Sequence, residues 1–221
     1  MSDTADIIAA DLEGTLTGGA TWSGMRAYLE VNGQKRRFQQ FIHRYMWPVL
    51  KFRLGLIKDE WAFKEQWVLD LFRLFAGYTA AELETVAEFV VENELWPQRR
   101  QAVVDEFLAQ QADGRRLLIV TGVIEPVLAK FAQKAGNVEA IGTPLTFADG
   151  VFTGEVAAPL NTGESKVEQL RPFTPNGQIK TAYGDTAADI PMLQMAANPV
   201  AVFPDKVLQD TAVAHQWRII E

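Results

Sequence analysis

The chain has 221 residues, of which 48% are apolar, and this is enough for one substantial domain or for a core domain that carries an insertion. Its 21 basic and 28 acidic side chains give a net charge of −7, which argues against general nucleic-acid binding. The absence of cysteine excludes disulfides, thiolate nucleophiles and cysteine-ligated zinc, and two histidines, His43 and His215, offer little to a multi-histidine metal site or a Ser-His-Asp triad. Any catalytic chemistry therefore rests on carboxylates.

The first predicted element is a short buried strand at residues 5–10. It is followed directly by two acids, Asp11 and Glu13, and then by Gly14 and Thr15. Two close carboxylates repel each other and lose hydration, so the pair indicates a metal ion, a shared proton or plain exposure to solvent.

Residues 18–95 predict a helical insertion, because they are rich in aromatic residues and lack the alternation of strands. At helix-like spacing, tryptophans are more typical of packing than of a substrate cage, and this region holds Trp22, Trp47, Trp61 and Trp67. Glu30 is the only acid between residues 26 and 58, whereas nine acids lie between residues 59 and 94. The first half is therefore suited to an anionic neighbour.

Helix-like and strand-like stretches alternate in the remainder of the chain. A helix is predicted from Pro97, which suits a first helical turn, to a stop at Gly114. A strand at residues 115–122 and a second helix that ends at Gly136 follow. This is the order expected of βαβ units.

Asp149 and Gly150 lie between two β-prone arms and predict a hairpin, and two more strands are predicted at residues 178–185 and 198–205. The alternation predicts an α/β fold in which helices cover both faces of a mostly parallel sheet. Ligands of such sheets bind beyond the carboxyl ends of the strands. The polar residues at or just past those ends could converge on one crevice, and they are Asp11, Glu13, Thr121, Asp185 and Asp189.

Four motifs follow one another along the chain: D-x-E-G-T from Asp11 to Thr15, apolar-apolar-T-G ending at Gly122, a lysine at Lys166, and G-D-x-x-x-D from Gly184 to Asp189. Each alone is more typical of a turn, a helix cap or a solvated side chain. In this order the set resembles the haloacid dehalogenase superfamily, in particular its branch similar to phosphoserine phosphatases. The resemblance covers nearly the whole chain. It implies a Rossmann-like, three-layer parallel core at residues 1–17 and 96–221, with an α-helical cap inserted at residues 18–95.

The resemblance also implies a Mg²⁺-dependent phosphatase that hydrolyses a small phosphomonoester. Asp11 would be the nucleophile that forms an aspartyl-phosphate, and Glu13 would be the acid and base. The implied phosphate-binding groups are Thr121, the backbone N–H of Gly122 and Lys166. Mg²⁺ prefers oxygen ligands, and those implied are Asp11, the backbone carbonyl of Glu13, Asp185 and, directly or through a water, Asp189.

Three positions depart from the phosphoserine phosphatase pattern. Glu13 stands where the family usually has Asp, so the carboxylate reaches one methylene further. Ala188 stands where that branch has Asn, and no acid near Ala20 matches the one expected early in its cap. These differences argue against phosphoserine itself and leave the substrate open.

Three alternatives to a phosphatase remain at this stage. A phosphotransferase would pass the phosphoryl group to an alcohol acceptor, which the longer Glu13 could favour over water. A dehalogenase is disfavoured because displacement of halide needs neither Mg²⁺ nor the Asp185 and Asp189 pair. A binding protein with a retired active site would explain Glu13 and Ala188, but the retained acids and Lys166 argue against it.

The expected partner is a small-molecule phosphomonoester, and no nucleic acid is expected. The stretch YMWPVLKFRLGLI is too short and too charged to span a bilayer, but its aromatic and basic residues could rest on a membrane surface. The N-terminal MSDTADII has neither a basic leader nor a long apolar run, so we expect a cytoplasmic protein. The sequence predicts no oligomeric state.

Overall fold

A computed structural model describes residues 5–57, 59–174 and 176–221 of the chain. The strands are β1 (Ala5–Ala10), β2 (Arg116–Ile124), β3 (Glu139–Thr143), β4 (Leu145–Ala148), β5 (Val151–Val156), β6 (Ile179–Gly184), β7 (Ala196–Val202) and β8 (Arg218–Ile220). The α-helices are α1 (Thr21–Val31), α2 (Lys35–Arg53), α3 (Glu60–Phe72), α4 (Ala80–Val90), α5 (Gln101–Ala109), α6 (Glu125–Lys134), α7 (Glu164–Leu170), α8 (Ile190–Gln194) and α9 (Lys206–Ala214).

Six strands form one parallel sheet in the order β3-β2-β1-β6-β7-β8. In β1, Ile8 faces a core formed with α5, α6 and the helices before them, whereas Ile7 faces a second core formed with α7, α8 and α9. Because side chains alternate along a strand, the apolar run of β1 suits a strand that is covered on both sides. The predicted α/β fold with a three-layer, parallel core is confirmed.

Residues 18–95 contain α1 to α4 and a π-helical turn at Val91–Leu95, and the described part of this segment adds no strand to the sheet. The two ends of this segment lie close together, since the Thr17 hydroxyl donates to the carbonyl of Leu95 over 2.6 Å. The side chain of Trp61 lies outside the described residues. Among the helices that are described, none is both long and apolar enough to cross a bilayer.

The helix predicted to begin at Pro97 begins instead at Gln101, and Pro97 lies in a turn. The reason is the return of the chain to the core. Arg99 pairs with Thr17, and the N–H of Arg100 donates to the carbonyl of Leu16 over 2.9 Å, which keeps these residues out of a helix.

One predicted strand of the sheet needs correction, and two strands of the sheet are not predicted. The strand expected at residues 198–205 is β7, which ends at Val202 because Phe203 adopts a left-handed φ of 43°. The two edge strands, β3 and β8, are not predicted by the sequence patterns.

The predicted hairpin is confirmed and joins β4 to β5. Asp149 and Gly150 have φ values of 50° and 80°, the left-handed conformations that a tight type I′ turn requires. Backbone hydrogen bonds link Phe152 of the hairpin to Gly77 and Tyr78, each over 2.8 Å. The hairpin therefore anchors the chain just before α4.

Candidate active site

All seven site residues predicted from the sequence line one cavity of about 210 Å³, and they are Asp11, Glu13, Thr121, Gly122, Lys166, Asp185 and Asp189. They reach it from three adjacent strands at the centre of the sheet, β2, β1 and β6, and from α7. Parallel strands end on the same side of a sheet, so residues far apart in sequence meet there.

The turn after β1 fixes the two acids of the first motif. The N–H of Asp11 donates to the carbonyl of Tyr183 over 3.0 Å and extends the pairing of β1 with β6 by one residue. Leu12 is fully buried, and its carbonyl accepts hydrogen bonds from the N–H groups of Leu16 and Thr17. The chain therefore turns sharply, with Asp11 and Glu13 on either side of an anchored leucine.

Lys166 is buried between two carboxylates, with 3% of its surface exposed. Its Nζ lies 2.6 Å from Oδ1 of Asp11 and 2.6 Å from Oδ1 of Asp189. Burial by itself lowers the pKa of Lys166, but the two carboxylates outweigh burial and raise the pKa above its ordinary value. The lysine is therefore charged and stands beside Asp11.

Asp189 has both of its carboxylate oxygens engaged. While Oδ1 accepts from Lys166, Oδ2 accepts from the N–H groups of Asp185 and Thr186, each over 3.1 Å. Gly184 allows this close approach, since a Cβ there would lie 2.4 Å from Cβ of Asp189. Asp189 thus orients both Lys166 and the turn that carries Asp185.

One carboxylate oxygen from each of Asp11, Asp185 and Asp189 lies within 4.8 Å of the other two. Burial, and then the charges of Asp11 and Asp189, raise the pKa of Asp185 to about 8. Burial also raises the pKa of Asp11, although Lys166 opposes it. Three acids against one ammonium leave an excess of negative charge, and oxygen donors of this kind fit a hard divalent cation such as Mg²⁺.

Glu13 is held by the first residue of α1. Its Oε1 accepts a hydrogen bond from the N–H of Thr21. Burial raises the pKa of Glu13, and the N–H of Thr21 only partly opposes that effect. Burial therefore favours the protonated form of this carboxyl group, which suits a role in proton transfer.

Thr121 and Gly122 lie in the cavity wall. The sequence predicts them at the end of a strand, but they lie within β2. β2 continues to Ile124 and α6 begins at Glu125, so the N–H of Gly122 is not in the first turn of that helix. The cause is an irregularity in the pairing of β2 with β3 between Val120 and Ile124. The Thr121 side chain hydrogen-bonds Asp11 and lowers its pKa.

Three supporting residues are absent from the sequence prediction. The Thr15 hydroxyl donates to Oδ1 of Asp185 over 3.2 Å, Arg100 Nε donates to the carbonyl of Gly14 over 2.9 Å, and the N–H of Asp205 donates to the carbonyl of Asp185 over 2.8 Å. Thr15 could have been found from the sequence, because it belongs to the first motif. Arg100 has no such signal, since its partner is 86 residues away.

The cavity wall on the side of residues 18–95 is apolar. It is formed by α1 and α3, through Trp22, Trp67, Val68, Leu71 and Phe72. Trp22 and Trp67 pack edge to face, with ring centroids 6.2 Å apart. These two tryptophans therefore pack against each other and also face the cavity.

The haloacid dehalogenase-like hydrolase family model matches residues 8–194. The chain is 26% identical over 151 residues to phosphoserine phosphatase SerB1 of Mycobacterium tuberculosis, a match that covers 65% of this chain and 48% of that protein. It is 27% identical over 158 residues to histidinol-phosphatase of Neisseria meningitidis, covering 66% and 69%. The chain spans about half the length of the mycobacterial curated relatives that it matches.

Solved structures show the same fold. A protein of unknown function from Bordetella pertussis aligns with a TM-score of 0.80 at 22% identity and covers 99% of both chains. A substrate-bound phosphoserine phosphatase aligns with a TM-score of 0.67 at 18% identity, covering 100% of this chain and 94% of that one. With the family model spanning the strands and turns that build the cavity, the chain belongs to the haloacid dehalogenase-like hydrolases.

Proposed function

We propose that the protein is a Mg²⁺-dependent phosphatase that hydrolyses a phosphomonoester through an aspartyl-phosphate at Asp11. The observation that carries this proposal is the buried contact of 2.6 Å between Asp11 Oδ1 and Lys166 Nζ, in a cavity that also holds Asp185 and Asp189. A carboxylate beside a fixed ammonium can meet the negative charge of a phosphate group without repelling it outright.

Two displacements complete the reaction. In the first, an oxygen of Asp11 forms a bond to phosphorus while the ester P–O bond breaks, and the leaving alcohol takes a proton from Glu13. In the second, Glu13 removes a proton from water, the water oxygen bonds to phosphorus, and inorganic phosphate leaves as the carboxylate of Asp11 is restored. Lys166 and Thr121 stabilise the charge on the transferred group.

The oxygens of Asp11 and Asp185 and the backbone carbonyl of Glu13 would hold Mg²⁺. Both oxygens of Asp189 already accept hydrogen bonds, which favours a contact through water for that residue. A bound Mg²⁺ would offset the negative charge that the acids and the phosphate share.

We also propose that residues 18–95 act as a cap over a core formed by residues 1–17 and 96–221. The hydrogen bond from the N–H of Thr21 to Glu13, and the place of Trp22 and Trp67 in the cavity wall, support this division. A cap of this kind excludes water from the reaction and sets selectivity.

A colorimetric assay with p-nitrophenyl phosphate tests the phosphatase directly. We expect turnover with Mg²⁺, none with chelator, and a loss of at least about 10³-fold in Asp11→Asn, since the nucleophile is removed. Asp210→Asn is the matched control, because this exposed acid pairs with Lys206 on α9, its one ion pair among the described residues. Turnover without metal, or full activity of Asp11→Asn, would refute the proposal.

Transfer to an alcohol is a second candidate, favoured by the apolar wall beside Glu13. An alcohol packed against that wall could replace water in the second displacement. Analysis of products with added butanol separates the two activities: butyl phosphate indicates transfer, and inorganic phosphate alone indicates hydrolysis.

A further inference from the structure

The charged side chains that line the cavity, among the described residues, all belong to the proposed catalytic set. They are Asp11, Glu13, Lys166, Asp185 and Asp189. Every other lining side chain is uncharged. Apart from hydroxyl groups and the indole N–H groups of Trp22 and Trp67, this part of the lining is apolar and includes Val68, Leu71 and Leu160. The cavity therefore offers no additional charge to a substrate.

The apolar wall lies where the leaving alcohol has to be. Glu13, the proposed proton donor to that alcohol, is bonded to Thr21, and Trp22 follows in the same turn of α1. Trp67 packs on Trp22, and Val68 comes from the same helix as Trp67. An alcohol that receives its proton from Glu13 is in contact with these side chains.

An amino acid head group would find no charged side chain at this wall, among the residues that the structure describes, outside the proposed catalytic set. Lys166, the cation of the cavity, is already bonded to two carboxylates. Further acids lie outside the cavity lining: Glu94 is near enough to raise the pKa of Glu13, and Glu65 and Glu164 line a surface depression that borders the cavity at Leu160. An unpaired carboxylate loses hydration without compensation, and these acids would also repel it.

We infer that the substrate is a phosphomonoester of an uncharged, largely apolar alcohol, an inference that rests on the proposed phosphatase function. The wall can accommodate one polar atom. The Thr21 hydroxyl is buried and lines the cavity. It lies near enough to Glu13 to lower the pKa of that carboxyl, but it forms no hydrogen bond of standard geometry within the described residues. A single hydroxyl or ester oxygen of the alcohol can pair with it.

Two substrates of nearly equal shape provide the test. Isobutyl phosphate carries methyl groups where O-phosphoserine carries its ammonium and its carboxylate. We expect kcat/KM for isobutyl phosphate to exceed that for O-phosphoserine at least tenfold. Hydrolysis with the opposite preference, or with none, would overturn the substrate class and leave the phosphatase standing. Hydrolysis of neither ester, nor of p-nitrophenyl phosphate, would overturn both.

Val68 allows a matched set of variants because it is partly exposed in the wall. Val68→Lys should lower the isobutyl to phosphoserine ratio at least fivefold, since the new ammonium can pair with the serine carboxylate. Val68→Met, which stays apolar, and Val207→Lys, which adds the same charge on exposed α9, should leave the ratio unchanged. An unchanged ratio in folded Val68→Lys would contradict the role of the wall.

A different surface, the exposed face of α2, supports a second and independent inference. Ile42, Met46 and Leu50 share one side of the helix because they are four residues apart, and all three are exposed. Trp47 is 67% exposed. The adjoining side of α2 supplies the core contacts, through Phe38, Phe41 and Tyr45. The apolar stripe is therefore not used in packing.

The same helix is strongly basic in a protein whose net charge is −7. It has no acid, and its cations are Lys35, Arg36, Arg37, Arg44, Lys51 and Arg53. Across the described ranges of the chain, none of these six side chains forms an ion pair within 4.0 Å. Arg37 donates to the carbonyl of Leu74 and lies over the Tyr78 ring, and the charges of the other five are available to an external anion.

We propose that this face of α2 docks on a bilayer that contains anionic lipids. The apolar stripe would enter the interface while the cations pair with lipid phosphates. A second copy of the chain is a poorer occupant, because it would bring two basic helices together.

Sedimentation with vesicles tests the docking. We expect binding to phosphatidylcholine vesicles that contain 30% phosphatidylglycerol, weaker binding at high salt, and at least a tenfold loss of affinity in the double variant Arg44→Glu/Lys51→Glu. Lys206→Glu on α9 is the matched control and should bind like the wild type. Equal binding by the double variant, no binding to anionic vesicles, or a dimer in analytical ultracentrifugation that the double variant abolishes would overturn the proposal.

Discussion

Gly14 is the residue that lets the turn after β1 approach the turn after β6. Its φ is +84°, and a Cβ at this position would lie 1.9 Å from Oδ2 of Asp185. A side chain therefore meets two obstacles here, a strained backbone and the carboxylate that is proposed to bind the metal. Gly33 has a similar φ of +72° but open space around it, so it isolates the backbone effect.

We predict that Gly14→Ala and Gly33→Ala each lose about 1 kcal/mol of unfolding free energy from backbone strain. Gly14→Ala should lose more in total, because its new Cβ also collides with Asp185. Only Gly14→Ala should lower kcat/KM, by about 100-fold, because it displaces Asp185. Urea unfolding and the phosphatase assay measure the two effects. Wild-type activity in Gly14→Ala would mean that the turn can move away without harm to the site.

The charged form of Asp185 lowers the stability of the metal-free protein, although the proposed function needs this carboxylate. Its pKa of about 8 lies above the ordinary value of 3.8, so the folded state binds the proton more tightly than the unfolded state. This contribution to stability is fully present below about pH 4, and it is lost as the pH rises through 8.

Asp185→Asn should therefore stabilise the protein in chelator at pH 8 by about 2 kcal/mol, and should make little difference at pH 4. The same variant should be inactive. Added Mg²⁺ should reduce the difference, since a cation stabilises the wild-type cluster but finds one ligand fewer in the variant. Urea unfolding at the two pH values, with and without Mg²⁺, measures each quantity. A variant less stable than the wild type in chelator would contradict the electrostatic account.

At the scale of elements, one polar group ties three of them together beneath the site. The Tyr183 hydroxyl, from β6, donates to Oε1 of Glu106 on α5 over 2.8 Å. Arg218, from β8, donates to both oxygens of Glu106 over 2.6 and 2.7 Å. The hydrogen bonds from Arg218 lower the pKa of Glu106, against the effect of its burial.

A lowered pKa means that Glu106 contributes stability above about pH 4.5, and that this contribution is lost as the pH falls through the folded-state pKa. We predict that Glu106→Gln costs about 1 kcal/mol at pH 7 and nothing near pH 3, as measured by urea unfolding, after allowance for partial exposure. Glu139→Gln removes a pair with Arg116 at the exposed sheet edge and should cost less than about 0.5 kcal/mol. Equal losses of unfolding free energy in Glu106→Gln and Glu139→Gln at pH 7 would show that the hydrogen bond from buried Tyr183 adds no stability.

Local pattern predicted the elements whose ends are set by local chemistry. β1 matches because a run of small apolar residues is bounded by turn residues, and the β4–β5 hairpin matches because Asp149 and Gly150 both accept a left-handed φ. β8 has only three residues, too few for a pattern to indicate. The start of α5 failed because Arg99 and Arg100 bond to Thr17 and Leu16, partners that no local pattern reveals.

The same distinction holds for the site. Asp11 and Asp185 could be predicted to meet because the ends of parallel strands converge, whereas Lys166 is assigned to the site only by the family resemblance. The engagement of both Asp189 oxygens, and the support that Arg100 gives to Gly14, depend on tertiary geometry. Predicted roles in catalysis are still predictions, whereas the placement of the side chains is a feature of the fold.

At the scale of the whole molecule, the cavity is lined both by residues 18–95 and by the parts of the chain before and after them. The core contributes the carboxylates and Lys166, and the helical segment contributes Thr21 and the tryptophans. A ligand held at Asp11 thus touches groups from distant parts of the sequence, so its binding energy should appear in the stability of the folded chain as a whole.

Beryllium fluoride, a mimic of a phosphoryl group on aspartate, makes that coupling measurable. At 100 times its Kd, a ligand of the folded state adds about 2.7 kcal/mol, which for a chain of this size corresponds to a rise in Tm of roughly 5 to 10 °C. We predict this rise with Mg²⁺ present, its absence in Asp11→Asn, and its retention in Glu13→Gln, because Glu13 moves protons but does not hold the mimic. Thermal unfolding by differential scanning calorimetry measures all three. A shift in Asp11→Asn equal to that of the wild type would show that the mimic binds elsewhere, and loss of the shift in Glu13→Gln would place Glu13 among the ligands that hold the phosphoryl group.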